Sequence, residues 1–140
     1  MGTWSEDNFS NDDAGDWIWD LEKSKGLDTL LAPIQLVIAE EDYLEGPICS
    51  EALAASEIIA ASVSGDYSRI PEEAKNWLSK KQGLIFGSKP KIKALHAKQA
   101  LEAVKKITAN SELQELWEEN GENKAWRAVQ NSLMTKLENA

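Results

Sequence analysis

Histidine and cysteine are almost absent from this sequence of 140 residues, since His96 and Cys49 are the only residues of their types. One histidine and one cysteine cannot form a closed transition-metal site within one chain, and a lone cysteine cannot form an internal disulfide. We expect His96 to be a helix-face histidine and Cys49 a small buried apolar side chain. The sequence therefore predicts no metal ligands, no catalytic cysteine–histidine pair and a cytoplasmic protein.

Long apolar runs are also missing. The stretch from Leu30 to Ala39 is interrupted by Pro33 and Gln35, whereas a membrane-spanning helix needs ~20 largely apolar residues. The opening MGTWSEDNFS is polar and acidic, without the basic start and apolar centre of a secretory signal. We therefore expect neither a membrane span nor a targeting segment.

The sequence contains none of the short motifs that carry common catalytic or cofactor chemistry. It has no GxSxG nucleophile elbow, no phosphate-binding P-loop, no dinucleotide-binding GxGxxG and no zinc-protease HExxH. We therefore expect no catalytic residues and no cofactor, and we favour a non-enzymatic protein.

The pattern that is present is helical throughout. Apolar residues recur at three- and four-residue spacing, glycine and proline fall between these segments, and no segment alternates apolar and polar residues over the length of a strand. We predict one all-α domain over residues 1–140, a compact bundle of six or seven helices with an extended N-terminal arm over residues 1–10. Trp4 and Phe9 are the apolar points of the arm, and we expect them to pack beside Trp17.

Local signals mark where the helices begin. Asn11 and Asp28 are suited to cap the first and second helices. Gly46-Pro47 starts a third helix, which is apolar on two sides and therefore central. The later helices are predicted to begin near Pro71, Pro90, the Ser111–Gln114 capping box and the turn at Asn120-Gly121.

The net charge of −9 is unevenly distributed along the chain. Residues 1–66 hold 15 acids and two bases, whereas residues 67–140 hold 13 bases and nine acids. Such asymmetry indicates a basic partner for the first half, or two halves that face each other, or only a soluble surface. Nucleic acid is not an expected partner, because phosphate binding needs a net basic face.

An acidic helix face beside a tryptophan is the candidate binding surface. Asp16 and Asp20 are four residues apart and share a helix face, while Trp19 lies off the apolar stripe of the first helix. Acids around an aromatic side chain suit a lysine- or arginine-rich protein, through electrostatic steering and cation–π contact. We expect a second acidic rim formed by Glu40, Glu41, Asp42 and Glu45.

Other interpretations of the same residues are open at this point. The acids can form a solvated surface with no partner, and Trp19 can pack against the N-terminal arm. Carboxylates on helices can hold a hard cation or serve a metal-dependent enzyme, although the Glu-x-x-His pairs of bundle metal sites are absent. The long apolar helices can also form a homodimeric scaffold.

The opening of the chain resembles a bacterial family of small helical proteins, a domain of unknown function whose members begin MG-x-WG-x-G-x-F-x-NDDA-x-DW. Two later stretches resemble the family as well, SEALAASE at residues 50–57 and SELQELW at residues 111–117. Ser5 and Asp7 stand where the family has glycines. The resemblance implies a small all-helical bacterial protein and supplies no activity. The opening residues that match are Met1, Gly2, Trp4, Phe9, Asn11, Asp12, Asp13, Ala14, Asp16 and Trp17.

Taken together, the residues favour a non-enzymatic acidic protein-binding module. Its expected partner is a basic protein rather than a nucleic acid or a membrane. One concrete form is a small acidic protein that neutralises a basic toxin or enzyme, in the manner of an immunity protein.

Overall fold

The structure, a computed structural model, describes residues 5–79, 91–119, 121 and 123–140. Within these ranges the chain forms seven helices and no strand, which confirms the predicted all-α bundle. The helices are α1 (Asp12–Lys23), α2 (Asp28–Ala39), α3 (Gly46–Ser64), α4 (Glu72–Ser79), α5 (Ala94–Ala109), α6 (Glu112–Glu119) and α7 (Asn123–Glu138).

Two of the predicted helix starts are confirmed in detail. The Asn11 side chain accepts a hydrogen bond from the backbone N–H of Ala14 at 2.8 Å, as an N-cap residue does. Before α6, the hydroxyl of Ser111 accepts from the N–H of Gln114 at 3.0 Å, and the Gln114 side chain accepts from the N–H of Ser111 at 3.4 Å. This reciprocal pair is the capping box that the sequence predicted.

Two other predicted starts are wrong. Leu27, not Asp28, is the N-cap of α2, and Asp28 is the first helical residue, where its charge favours the positive end of the helix dipole. α5 begins at Ala94 rather than near Pro90, which lies outside the described residues. Lys93 is extended, and its N–H donates to Nδ1 of His96 at 2.9 Å, so the helix starts after it.

α3 is the central helix, as its apolar pattern predicted. Thirteen of its residues are buried, and it packs against α1, α2, α5, α6 and α7. Its many alanines leave little side-chain bulk between neighbouring helix axes. Within the described ranges, α3 is the one helix long and apolar enough to cross a membrane, but 67% of that apolar window is buried by other helices, which is typical of a core helix.

Most tryptophans belong to the core, as predicted. Trp17, Trp77 and Trp126 are at most 5% exposed. Trp117 is half-buried and stacks on Trp126, with ring centroids 6.4 Å apart. Trp19 is the exception, and its side chain is 65% exposed.

The N-terminal arm is held to the bundle by buried polar groups. The amide nitrogen of Asn8 donates to a carboxylate oxygen of Glu57 on α3 and to the amide oxygen of Gln130 on α7, both at 3.0 Å. The Gln130 amide nitrogen donates back to Asn8 at 2.8 Å. Phe9 packs on the core cluster that contains Trp17, while Trp4 lies outside the described residues.

Bases from the second half of the chain meet groups of the first half. Arg69 lies 3.7 Å from Asp7, and Lys136 forms an ion pair of 3.1 Å with Asp66. On α5, the Lys106 ammonium donates to the carbonyl oxygens of Val37 at 2.8 Å, Ile38 at 3.2 Å and Glu40, which lie at the C-terminal end of α2. Part of the charge asymmetry is therefore satisfied inside the molecule.

Candidate functional site

The candidate surface lies on the outward face of α1. The periodicity of this helix turns four apolar residues into the core, and their spacing leaves Asp16, Trp19 and Asp20 on the other side, where all three are exposed. Trp19 is 65% exposed, so the described part of the arm, residues 5–10, does not bury it. The inward residues of α1 are Ala14, Trp17, Ile18 and Leu21.

Within the described part of the chain, these three side chains have no bonding partner. None of them takes part in a hydrogen bond or an ion pair. Trp19 adds less to folding than a buried tryptophan does, because most of its apolar surface stays in water. We name Asp16, Trp19 and Asp20 the α1 face.

A third carboxylate, that of Glu51, extends the α1 face onto α3. Burial raises the pKa of Glu51, and the neighbouring charges of Asp13 and Asp20 raise it further. This electrostatic coupling means that carboxylates of α1 and α3 lie close together. The sequence contains Glu51 but gives no sign of this proximity, which depends on how α1 packs against α3.

The second acidic rim lies between α2 and α3. Glu40, Glu41, Asp42 and Glu45 are all exposed, and the backbone N–H of Asp42 donates to the Glu40 carboxylate at 3.3 Å. In the described residues, the hydrogen bonds of this connection reach α5 and α6 rather than α1: Lys106 caps the carbonyl of Glu40.

The α6 contact of the rim is made by a tyrosine. The Tyr43 hydroxyl donates to the Glu115 carboxylate at 2.7 Å. This hydrogen bond raises the pKa of Tyr43 to about 12, and the nearby charge of Glu112 acts in the same direction. The rim is therefore anchored to α6, and its acids form a surface adjoining Glu112 and Glu115.

In the described ranges, neither the possible metal ligands nor the single cysteine forms a candidate chemical site. No group of three or more histidine, cysteine, aspartate or glutamate side chains is placed to hold a metal ion there. Cys49 is fully buried, and burial raises the pKa of its thiol to about 12, which keeps it protonated and unreactive. His96 is used at the start of α5, where its ring accepts the N–H of Lys93.

The family described as Domain of unknown function (DUF4259) matches residues 2–129. The chain belongs to this family. The match contains α1 to α6 and the first part of α7, so the helix carrying Trp19 and the connection carrying the second rim are both part of the DUF4259 domain. No curated protein and no solved structure matches the chain.

The buried polar cluster that joins the arm to α3 and α7 was not predicted. Glu57 is 2% exposed and Gln130 is fully buried, and both are bonded to Asn8. Burial raises the pKa of Glu57 to about 7, while the hydrogen bond from Asn8 and the positive charge of Lys136 act in the opposite direction. A charged residue within an apolar helix was the available signal, but its hydrogen-bond partner Asn8 is 49 residues away in sequence.

Proposed function

We propose that this protein is a non-enzymatic protein-binding module whose docking surface is the α1 face. The observation that carries the proposal is the exposure of Trp19, which is 65% exposed in a protein whose other described tryptophans are buried or half-buried. A large exposed aromatic side chain is costly to leave in water and is common at the centre of binding interfaces.

The chemistry of the expected partner follows from the charges beside Trp19. Asp16 and Asp20 lie three residues before and one residue after it, and neither is neutralised by a basic side chain in the described residues. A lysine or arginine of the partner can contact the face of the indole ring and either carboxylate. We therefore propose a basic partner protein, with neutralisation of a basic toxin or enzyme as one form of this function.

The acidic first half supports the same partner through long-range attraction. Residues 1–66 hold 15 acids and two bases, and four of these acids are the exposed carboxylates of the second rim. Such a surface accelerates encounter with a basic protein. Binding should weaken as salt is added, because exposed charges are screened over about 8 Å at physiological ionic strength.

The experiment is affinity capture from the native host with matched variants. Trp19→Ala should lose the partner that the wild type retains, whereas Tyr67→Ala, which removes another exposed aromatic side chain, should keep it. The double reversal Asp16→Lys with Asp20→Lys should also lose the partner, while the same charge change at Glu72 and Glu73 on α4 should have a smaller effect. Equal retention by wild type, Trp19→Ala and the α1 reversal would refute the proposal.

We also infer a reducing cytoplasmic location and a bacterial origin. The location rests on the single thiol of Cys49, which is buried and protonated, so the fold uses no oxidised cysteine among the described residues. The origin rests on the resemblance of the opening residues to bacterial sequences. Fractionation of host cells measures the location directly, and recovery of the protein outside the cytoplasm would contradict it.

A further inference from the structure

An open groove of about 690 Å³ lies between α5 and the C-terminal end of α7. Its apolar lining comes from Leu95, Leu101 and Leu137, and Leu95 is 61% exposed. Lys98 and Lys105 supply two positive charges, and Glu138 supplies one negative charge. The groove is therefore an apolar slot with two lysines on its α5 side and with Glu138 and Ala140 on its α7 side.

The residues of α5 in this groove combine an apolar side chain with two like charges, as the α1 face does, but with the opposite sign of charge. Lys98, Leu101 and Lys105 are separated by three and four residues, so they share one side of the helix. On α1, an apolar side chain is likewise accompanied by two like charges on one helix face, here Trp19 with two aspartates. Each surface offers what the other lacks: a protruding aromatic ring with acids, and an apolar recess with bases.

These two surfaces do not satisfy each other within one chain. α1 packs mainly against α3 and α4, whereas α5 packs against α2, α3 and α7. Trp19 and Leu95 are both more than 60% exposed in the single chain. Any contact between the α1 face and the groove must therefore join two molecules.

We propose that the α1 face of one copy docks into the α5–α7 groove of a second copy. This inference rests on the proposed function, because it uses the same docking surface and names a partner that supplies the required lysines. The contact is head-to-tail, since the two surfaces differ, and further copies can add to either end. A buried tryptophan contributes about 150–250 Å², far less than the roughly 1,200–2,000 Å² of a stable interface. Self-association is therefore weak and depends on protein concentration.

The test is sedimentation velocity over a range of protein concentrations with two charge-reversed proteins. One carries Asp16→Lys and Asp20→Lys, and the other carries Lys98→Glu and Lys105→Glu. Each reversed protein alone has surfaces of like charge and should stay monomeric where the wild type associates. An equimolar mixture of the two should associate again, because each α1 face then meets a groove of opposite charge.

Apolar truncation supplies the remaining arm of the test. Trp19→Ala and Leu95→Ala should each weaken association, whereas Tyr67→Ala should leave it unchanged. Circular dichroism melting of every variant establishes that it is folded, and Trp19→Ala serves as the decisive single change if a double reversal does not fold.

The outcomes separate this inference from the proposed function. A wild type that stays monomeric up to about 1 mM, or a mixture of reversed proteins that stays monomeric, overturns the self-association. If Trp19→Ala nevertheless loses a captured basic host protein, the α1 face is a docking surface for that protein and the proposed function stands. If the wild type associates but Trp19→Ala associates equally well, the groove has a different occupant and the inference is wrong.

Discussion

Carboxylates occur in two contrasting surroundings in this molecule, the buried contact between the arm and the bundle and the exposed face of α1. Glu57 is enclosed by α3, α7 and the arm and is bonded to Asn8, whereas Asp16 and Asp20 lie in solvent without a bonded partner in the described residues. A buried carboxylate must be satisfied within the fold. An exposed one is free to meet another molecule, so the first region stabilises the protein and the second is available for binding.

The largest effect is expected from breaking the buried contact. Asn8→Ala removes the amide that bonds both Glu57 and Gln130, and leaves these two buried groups without it. The free energy of unfolding should fall by roughly 2–4 kcal/mol, because unsatisfied buried polar and charged groups are costly. Urea denaturation measures the change. Asn131→Ala, at an exposed position on α7, is the control and should change stability little; a similar loss in both variants would contradict the account.

Removing the charge of Glu57 should raise the free energy of unfolding rather than lower it. Its pKa in the folded protein is about 7, above the ordinary value of 4.5. The folded state therefore binds this proton more tightly than the unfolded state, and the resulting stability is present below about pH 4.5 and is lost as the pH rises through about 7. Glu57→Gln should stabilise the protein by roughly 2–3 kcal/mol at alkaline pH and change little in acid.

The difference in unfolding free energy between wild type and Glu57→Gln, measured as a function of pH, isolates this group. Other carboxyl groups also titrate, and Asp66 has a pKa lowered by its hydrogen bonds to Ser68, so the total profile is a composite. Glu41→Gln at an exposed site is the control, for which we expect no such difference. A constant difference from pH 4 to pH 8 would contradict the buried, raised pKa of Glu57.

A smaller loss of stability is expected when Lys106, a base of the second half of the chain, no longer caps α2 in the first half. Lys106→Met keeps the length of the side chain but removes the ammonium that bonds the final carbonyls of α2. Loss of these charge-assisted hydrogen bonds should cost roughly 1–2 kcal/mol. Thermal unfolding is a sufficient measurement, with Lys105→Met as the exposed neighbour for comparison. Equal melting temperatures of the two variants would mean that the cap contributes nothing.

The smallest change in stability is expected on the exposed side of the comparison. Trp19→Ala removes a side chain that is 65% exposed and has no bonded partner in the described ranges. The free energy of unfolding should change by no more than about 0.5 kcal/mol. Denaturation of this variant is compared with that of Trp126→Ala, which opens a cavity in the core and shows how large the loss is for a buried tryptophan. A loss above about 2 kcal/mol in Trp19→Ala would place Trp19 in the core and remove the proposed surface.

Much of the fold could be predicted because its signals are local. The Asn11 cap, the Ser111–Gln114 capping box and the apolar stripe of α1 each depend on residues within one or two helical turns. The error at Asp28 has a physical cause. An acid is favourable at an N-cap and equally in the first helical turn, so its presence does not fix the first residue of a helix.

The candidate site was predicted only in part. Its exposed residues follow from the pattern of one helix, whereas its surroundings depend on how the helices pack. Trp19 could be located because it departs from the stripe of its own helix. The proximity of Glu51 to Asp20 and the attachment of the second rim to α6 depend on tertiary packing, and no pattern within one helix contains them. The same is true of Asn8, whose partners lie on two distant helices.

The most direct test of the central claim follows each tryptophan separately during binding. The six tryptophans can be labelled with 5-fluorotryptophan, and the ¹⁹F resonance of Trp19 assigned as the one that Trp19→Phe removes. On titration with the host protein that the wild type captures, or on raising the concentration of the protein itself, the account predicts that the Trp19 resonance shifts or broadens first and most. A complex in which Trp19 is unchanged while another tryptophan responds would contradict it.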